Sequence, residues 1–250
     1  MTAVAAKRAS ALHDAAALTD DALRDLLAYP RKLTVPRLRA NFIASIDGAV
    51  TLDGAGRNLG TPTDRRVFQR LREVADAVLV GATTAASKPY ADLRVDADAQ
   101  TWRVAHGLAA ALRLVVVSSR GVIPEHLLSA SVPPTVLVSA NATRTARRAL
   151  RAAGAVVCEM GEGPIASAAI RQALRDQGLM RVLVEGGPTL FSHLIAGDEI
   201  DELCLTTSPM MVAGPARRIA ATPEHVEIRM QRGDMLLGDD GTVIVRWVRR

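Results

Sequence analysis

At 250 residues, with 49% hydrophobic and 23% charged side chains, the chain has the length and composition of one α/β core and excludes a disordered or collagen-like polymer. Uncharged apolar stretches such as Ala77 to Ser87 and Leu114 to Ser119 fall short of the ~18–20 residues that cross a bilayer, which excludes a membrane-spanning helix. The net charge of +5 calls for an anionic partner, and the 3% aromatic content, scattered along the chain, favours a small phosphate over single-stranded nucleic acid, whose binders need stacking rings.

Residues 1–36 are alanine-rich and helical in pattern, with DDALRDLLAYP ending at Pro30, and read as a helical arm attached to a body over 37–250. Acidic residues and His13 interrupt the alanine run, unlike the apolar core of a secretory signal, so a cytoplasmic protein is expected. Short apolar runs then alternate with amphipathic stretches. A strand over 37–45 precedes a helix opening at Pro62, and strands follow at 75–81, 113–119 and 135–140. Next comes a helix with Arg144, Arg147, Arg148 and Arg151 on one face, read as a solvated stripe with anion contact as the alternative. A strand over 155–160 leads to a helix opening at Pro164, and one over 181–187 to a helix opening at Pro188. Proline suits each of these first helical positions, because its missing N–H has no intrahelical partner there. Strands rich in Val and Leu, alternating with helices, specify a mostly parallel central sheet flanked by helices. The tail breaks this rhythm: 201–209, 224–230 and 234–248 are strand-like, and Asp239–Asp240–Gly241 signals an antiparallel C-terminal hairpin.

The only two cysteines, Cys158 and Cys204, sit inside apolar strand-like runs and read as buried thiols. No CxxC, HxE…PCxxC or HExxH spacing is present, so metal-free chemistry is the default. Three segments are dense in site-like residues. GEGPIA, from Gly161 to Ala166, matches GxGxxA between a strand and a helix; it is either a dinucleotide fingerprint or an ordinary strand-to-helix turn stiffened by Pro164. In RVLVEGGPTLF, from Arg181 to Phe191, a strand delivers Glu185 to its end and two glycines precede a helix N-terminus. That pattern makes a phosphate cradle with an acid beside it, or a tight turn needing glycine for its dihedrals. Between Ala40 and Phe68 a strand ends in Ser45, Asp47 and Gly48, and a glycine-rich loop follows; Asp47 is there either a site residue or a turn residue.

The ordered set FIASIDGAV, LGTPTDRRVFQRLREVADAVLVGATT, LVVVSS, VLVEGGPTLF and DELCLTTSPMMVAG resembles the reductase domain of riboflavin biosynthesis, the C-terminal half of the bifunctional RibD deaminase–reductase, whose fold is like dihydrofolate reductase. The resemblance covers roughly residues 37–248. It implies an NADPH site and a substrate site on opposite walls of one cleft. Ala44, Asn58, Thr61, Thr84, Gly186, Gly187, Pro188, Thr189 and Leu190 match the cofactor side. Ser119 and Arg120 follow the LVVVSS strand, whose end approaches the adenosine 2′-phosphate in this fold. A hydroxyl beside a guanidinium suits a phosphate dianion, so NADPH is expected in preference to NADH. Glu185, Arg72, Leu93 and Arg94 match the substrate side, with Asp47 nearby. Glu185 and Asp47 are the catalytic candidates: Glu185 fixes the heterocycle by accepting its N–H protons, while Arg72 and Arg94 face substrate phosphate or carboxylate.

The resemblance thus implies an NADPH-dependent reductase of a pyrimidine or pterin-type substrate. In the riboflavin version, hydride reaches C1′ of a ribosylamino sugar; in the dihydrofolate version it reaches a pterin C=N bond. A non-catalytic NADP-binding protein is the alternative from another class. Two departures from the family stand out. The deaminase motif HxE…PCxxC is missing, so this chain is not expected to carry out the preceding deamination. Lys88 occupies a position where the family commonly has an acid, which leaves the choice of heterocycle open. A homodimer is expected, since DELCLTTSPMMVAG and the C-terminal strands offer an edge to a symmetric partner. No nucleic acid or membrane partner is expected.

Overall fold

Apolar runs that end at glycine, proline or a capping hydroxyl fold here as strands and helices in alternation. The computed structural model describes residues 10–86, 90 and 93–250. In chain order the elements are β1 (Leu12–Asp14), α1 (Asp20–Leu27), β2 (Arg37–Ser45), a 3-10 turn (Gly56–Leu59), α2 (Pro62–Glu73), β3 (Ala77–Gly81), α3 (Ala82–Ala85), α4 (Ala97–Ala105), β4 (Arg113–Val117), α5 (Glu125–Leu128) and β5 (Thr135–Val138). They continue with α6 (Arg144–Ala152), β6 (Val156–Glu159), α7 (Ser167–Asp176), β7 (Arg181–Gly186), α8 (Pro188–Ala196), β8 (Glu202–Ser208), β9 (Met230–Leu237) and β10 (Val243–Arg249). The described strands form one sheet in the order β1-β9-β10-β8-β2-β7-β3-β4-β5-β6. From β8 to β6 every neighbouring pair is parallel, whereas β10 runs antiparallel to both β8 and β9. The expected α/β class, with its mostly parallel sheet and antiparallel C-terminal hairpin, is the observed one.

Pro62 and Pro188 both open helices, behind the N-caps Thr61 and Gly187. The expected helix start at Pro164 is not observed, and α7 begins at Ser167. Gly161 and Gly163 take positive φ, and Ile165 is drawn into the core with Ile170 and Leu174. Its carbonyl accepts a hydrogen bond from His193 Nε2 at 2.7 Å, so the segment stays an irregular turn. The expected strand over 224–230 is also absent except for Met230. The β9–β10 ladder closes at the Met230–Arg249 pair, and Glu224 to Glu227 lie exposed without a neighbouring strand. Of the two cysteines, Cys204 is buried and Cys158, on the edge strand β6, only half-buried; both are free thiols.

The stretch read as a helical arm supplies α1 and, in addition, an edge strand. β1 pairs in parallel with β9, and Leu23 and Leu27 of α1 join the core beside Val67 and Leu71 of α2. That strand, together with β10, makes the C-terminal strands interior. The edge envisaged for a symmetric partner at 201–248 is therefore already covered, and the sheet's outer strands are β1 and β6. Among the described residues no helix is long and apolar enough to cross a membrane.

The topology decides where a ligand can sit. From β2 the chain moves outward through β3, β4, β5 and β6, returns to the centre as β7 between β2 and β3, and then crosses to β8 on the far side of β2. Such a reversal opens a crevice at the carboxyl ends of the strands, where open α/β sheets bind ligands. Successive residues of β7 face opposite layers. Val182 and Val184 pack with Ile170, Phe191 and Leu194 of α7 and α8, whereas Leu183 packs with α2. Glu185 follows Leu183 onto the α2 side.

Charges are buried as pairs. On β2 and β8, fully buried Arg39 donates to Glu202 at 2.6 Å, and Arg37 donates to the same carboxylate at 2.7 Å. The Arg39 guanidinium also lies 4.1 Å from the Tyr29 ring centroid. Burial alone would raise the Glu202 carboxyl, but Arg39, Arg37 and Arg246 overcome it and hold it at about 2, below the ordinary 4.5. A depressed carboxylate stabilises the fold above its unfolded pKa and loses that contribution as pH falls toward the folded value. We expect Glu202→Gln to cost about 3–5 kcal/mol at neutral pH, because it strips a buried arginine of its counter-charge. In urea unfolding the gap from the parent should narrow as pH drops from 4.5 toward 2; a gap independent of pH would contradict this account.

Candidate functional site

At the end of β7, Glu185 is buried against α2, and both of its oxygens accept from Arg72, Nε and Nη2 each at 2.7 Å. A carboxylate can occupy that position because a planar guanidinium matches it with two parallel hydrogen bonds. Aromatic rings hold the guanidinium in turn: its carbon lies 4.4 Å from the Phe68 centroid and 5.7 Å from that of Tyr90. Burial, and then the Glu185 charge, push the Tyr90 hydroxyl well above its ordinary range, so it stays protonated and able to donate. Arg72 was expected to face a substrate anion; it faces Glu185 instead. Phe68 and Tyr90 were not anticipated. Phe68 had a signal, since it lies one helical turn before Arg72; Tyr90 had none in its own segment.

One residue further on, the chain turns to the opposite layer. Gly186 has φ +90°, and a Cβ there would press on the Phe42 ring at 3.2 Å. Gly187, joined to it by a cis peptide, would place a Cβ 2.4 Å from Thr84 Oγ1. Both glycines are therefore required by the protein's own packing, and that packing joins two residues expected on the cofactor side, Thr84 and Gly187. Leu190 closes against Gly81 at the end of β3. No side chain caps α8, and Pro188 and Thr189 are exposed at its start. The first N–H groups and the positive end of the helix dipole thus face the crevice.

Around the end of β2 the expected residues hold the loops. Ala44 pairs with Thr207. Asp47 is exposed, yet its carboxylate accepts from the Ser45 hydroxyl and from the Val212 and Ala213 N–H groups, the latter two at 3.1 and 2.7 Å. Those donors, the Ser45 hydroxyl foremost, hold it down at about 2. A group so acidic is a poor proton acceptor near neutral pH, so its visible work is to fasten the segment after β8. Asn58 donates to the Leu52 carbonyl at 2.9 Å. Thr61 caps α2 by accepting from Asp64 N–H at 3.0 Å and meets the Thr242 hydroxyl of the hairpin at 2.6 Å.

Ser119 and Arg120 are exposed just beyond β4, two strands from β7 and so about 10 Å to the side. Ser139 donates to the Ser119 carbonyl at 2.7 Å, fixing that turn. Leu93 and Arg94 line a hollow of about 390 Å³ with Tyr90, Leu112, Leu114 and Leu127; Tyr90 joins this hollow to the Glu185 corner. GEGPIA follows the edge strand β6, four strands from β7 and roughly 19 Å away, and serves as a strand-to-helix turn. Lys88 lies outside the described residues. Among those described, no group of three or more His, Cys, Asp or Glu could hold a metal ion.

Residues 36–244 match the family model described as the RibD C-terminal domain. The chain belongs to that family. Within the RibD C-terminal domain family it is 30% identical over 183 residues to the 2,5-diamino-6-ribosylamino-4(3H)-pyrimidinone 5′-phosphate reductase of Archaeoglobus fulgidus, covering 72% of this chain and 83% of that protein. It is 25% identical over 193 residues to the riboflavin biosynthesis protein RibD of Escherichia coli, covering 75% of this chain and 52% of that longer protein. The crystal structure of a pyrimidine reductase-like protein from Corynebacterium diphtheriae shares the fold, with a TM-score of 0.75 and 22% identity over 86% of this chain and 92% of that one.

The contact between Gly187 and Thr84 can be tested directly. Gly187→Ala should destabilise the protein by about 1–3 kcal/mol through overpacking. Adding Thr84→Ala removes the obstructing hydroxyl and leaves the Thr84 Cβ at an ordinary 3.8 Å, so the double variant should recover most of the lost thermal midpoint. Additive losses would show that the two residues do not collide.

Proposed function

We propose that this chain is an NADPH-dependent reductase that acts on a ribosylaminopyrimidine 5′-phosphate in riboflavin biosynthesis. The observation that carries the reading is the division of one strand end. Glu185 and Arg72 stand on the α2 side, whereas α8, with no side chain capping its start, packs in the opposite layer. An acid suited to the N–H edge of a heterocycle and an anion seat therefore adjoin across a single residue. The reductase names of the relatives support the same chemistry.

The residues present fit a phosphorylated dinucleotide. The α8 N-terminus offers backbone donors to a pyrophosphate, and Ser119 with Arg120, about 10 Å to the side, offer a hydroxyl and a guanidinium to a 2′-phosphate. When bound, the nicotinamide would supply a hydride to C1′ of the ribosylamino group; the C1′–ring oxygen bond breaks, and that oxygen takes a proton from water to give the ribitylamino group. On the protein's side, Glu185 retains lone pairs beyond those taken by Arg72 and accepts the heterocycle's N–H groups, fixing the ring's plane and distance. Arg72 keeps that carboxylate oriented through two parallel hydrogen bonds. Tyr90 and Phe68 exclude water from behind the pair. Leu93 and Arg94, reached past Tyr90, lie where the sugar phosphate extends. Asp47 acts by holding the segment after β8 and transfers no proton.

Oxidation of NADPH, assayed in parallel with the ribosylaminopyrimidine phosphate and with dihydrofolate, tests the assignment; turnover of dihydrofolate alone would overturn the choice of substrate. Glu185→Gln should retain NADPH binding while kcat/KM falls about tenfold or more, for the loss of one charge-assisted hydrogen bond of about 1.5–3 kcal/mol. Parent-level turnover by that variant would remove Glu185 from the site. NADPH should bind on the order of ten- to a hundredfold more tightly than NADH through Ser119 and Arg120. Arg120→Gln should erase most of that preference in fluorescence titrations, and equal affinities in the parent protein would refute the 2′-phosphate assignment.

A further inference from the structure

Two buried carboxylates away from the crevice each take two guanidinium groups. Glu202 meets Arg37 and Arg39, and Glu73 meets Arg24 and Arg70. Glu185 is held differently. It pairs with Arg72, and a further group on it is neutral: the Tyr90 hydroxyl, which hydrogen-bonds to the side chains of both Glu185 and Arg72. A hydroxyl has one proton to give and an oxygen that accepts. Between a carboxylate and a guanidinium it donates to Glu185 and accepts from Arg72, so the three side chains close a ring of hydrogen bonds.

The two parallel bonds from Arg72 fix the planes of guanidinium and carboxylate relative to each other. As a unit, however, the pair keeps the torsional freedom of two long side chains. A third contact from outside α2 and β7 removes that freedom, and Tyr90 supplies it from the segment between α3 and α4. Tyr90 is itself fixed: it is 7% exposed and belongs to the core cluster with Leu112, Leu114 and Leu127, and its ring centroid lies 5.7 Å from the Arg72 guanidinium carbon. Its ring also walls the hollow that contains Leu93 and Arg94. One side chain therefore borders both the acid assigned to the heterocycle and the residues assigned to the sugar phosphate. A second guanidinium at this place would outweigh the charge of Glu185, whereas a hydroxyl orients the carboxylate and adds no charge.

We propose that Tyr90 is a positioning residue for the reductase reaction: its hydroxyl holds the Glu185 carboxylate at the angle at which the heterocycle's N–H group meets it. The inference rests on the assignment of Glu185 to the substrate and adds the residue through which that acid is aimed.

The test is a double-mutant cycle of Tyr90→Phe and Glu185→Gln. It measures kcat and KM for the ribosylaminopyrimidine phosphate, Kd for NADPH by fluorescence, and the thermal midpoint as a control for folding. Phenylalanine keeps the ring beside Arg72 and the wall of the hollow, and removes only the hydroxyl. Introduced into the parent protein, Tyr90→Phe should lower kcat/KM on the order of tenfold and leave the Kd for NADPH unchanged. Introduced into Glu185→Gln, it should lower kcat/KM by less than about twofold, because the carboxylate it orients is gone. Equal losses in both backgrounds would overturn the proposal, since the hydroxyl would then act without Glu185. Parent-level turnover by Tyr90→Phe, with turnover lost in Glu185→Gln, would overturn it while leaving Glu185 in the site. Parent-level turnover by Glu185→Gln would remove the acid from the site and the role of Tyr90 with it.

Discussion

A carboxylate at the end of a strand buried on both faces is tolerable only with a partner that meets both of its oxygens, and the Arg72–Glu185 pair satisfies that condition at the centre of the crevice. The same requirement is met at two other buried carboxylates. Glu202 is shared by Arg37 and Arg39 across β2 and β8, and Glu73 by Arg24 and Arg70 between α1 and α2. Arg103, fully buried, donates instead to the carbonyls of Glu73 and Ala75 at 2.9 and 2.6 Å and so closes the end of the helix that carries Arg72. A guanidinium suits these positions better than an ammonium because its donors form a rigid, weakly hydrated fork.

This internal use of arginine changes the meaning of the basic composition. Lys7, Lys32 and Lys88 are the only lysines among 31 basic residues, and Arg24, Arg39, Arg70 and Arg103 are interior. Much of the positive charge therefore holds layers together and is not displayed to a polyanion. Even the stripe on α6 is partly engaged, with Arg147 and Arg151 both meeting Glu159.

The crevice is divided by β7 itself. Glu185 packs against α2, whereas the turn through Gly186 and Gly187 carries the chain into α8, whose Leu190 and Phe191 pack in the opposite layer, so the acid and the helix start are close in the chain but lie in different layers. The glycines at that turn bring Thr84 and Phe42 close to the backbone, so the geometry of the turn is determined by the protein's own packing. Asp47 contributes in the same manner from the other rim: its carboxylate joins the end of β2 to the segment after β8.

The sequence by itself determined the alternation of strands and helices, the helix starts at Pro62 and Pro188, the C-terminal hairpin and the family, because each depends on local periodicity, capping chemistry or an ordered set of short motifs. It also singled out Glu185 and the two glycines after it. Tertiary structure decided whatever depended on a distant partner. Residues 10–36 became a strand and a helix of the main fold because β9 had an open side and α2 an apolar face. Residues 224–229 remained irregular because the ladder with β10 closes at Met230. Arg72 meets Glu185, and Asp47 meets the Ala213 N–H group, because partners that lie 113 and 166 residues away in the chain are brought beside them. A local pattern can specify the type of side chain and the end of the strand it occupies; only the assembled layers specify which opposite charge or N–H group it will meet.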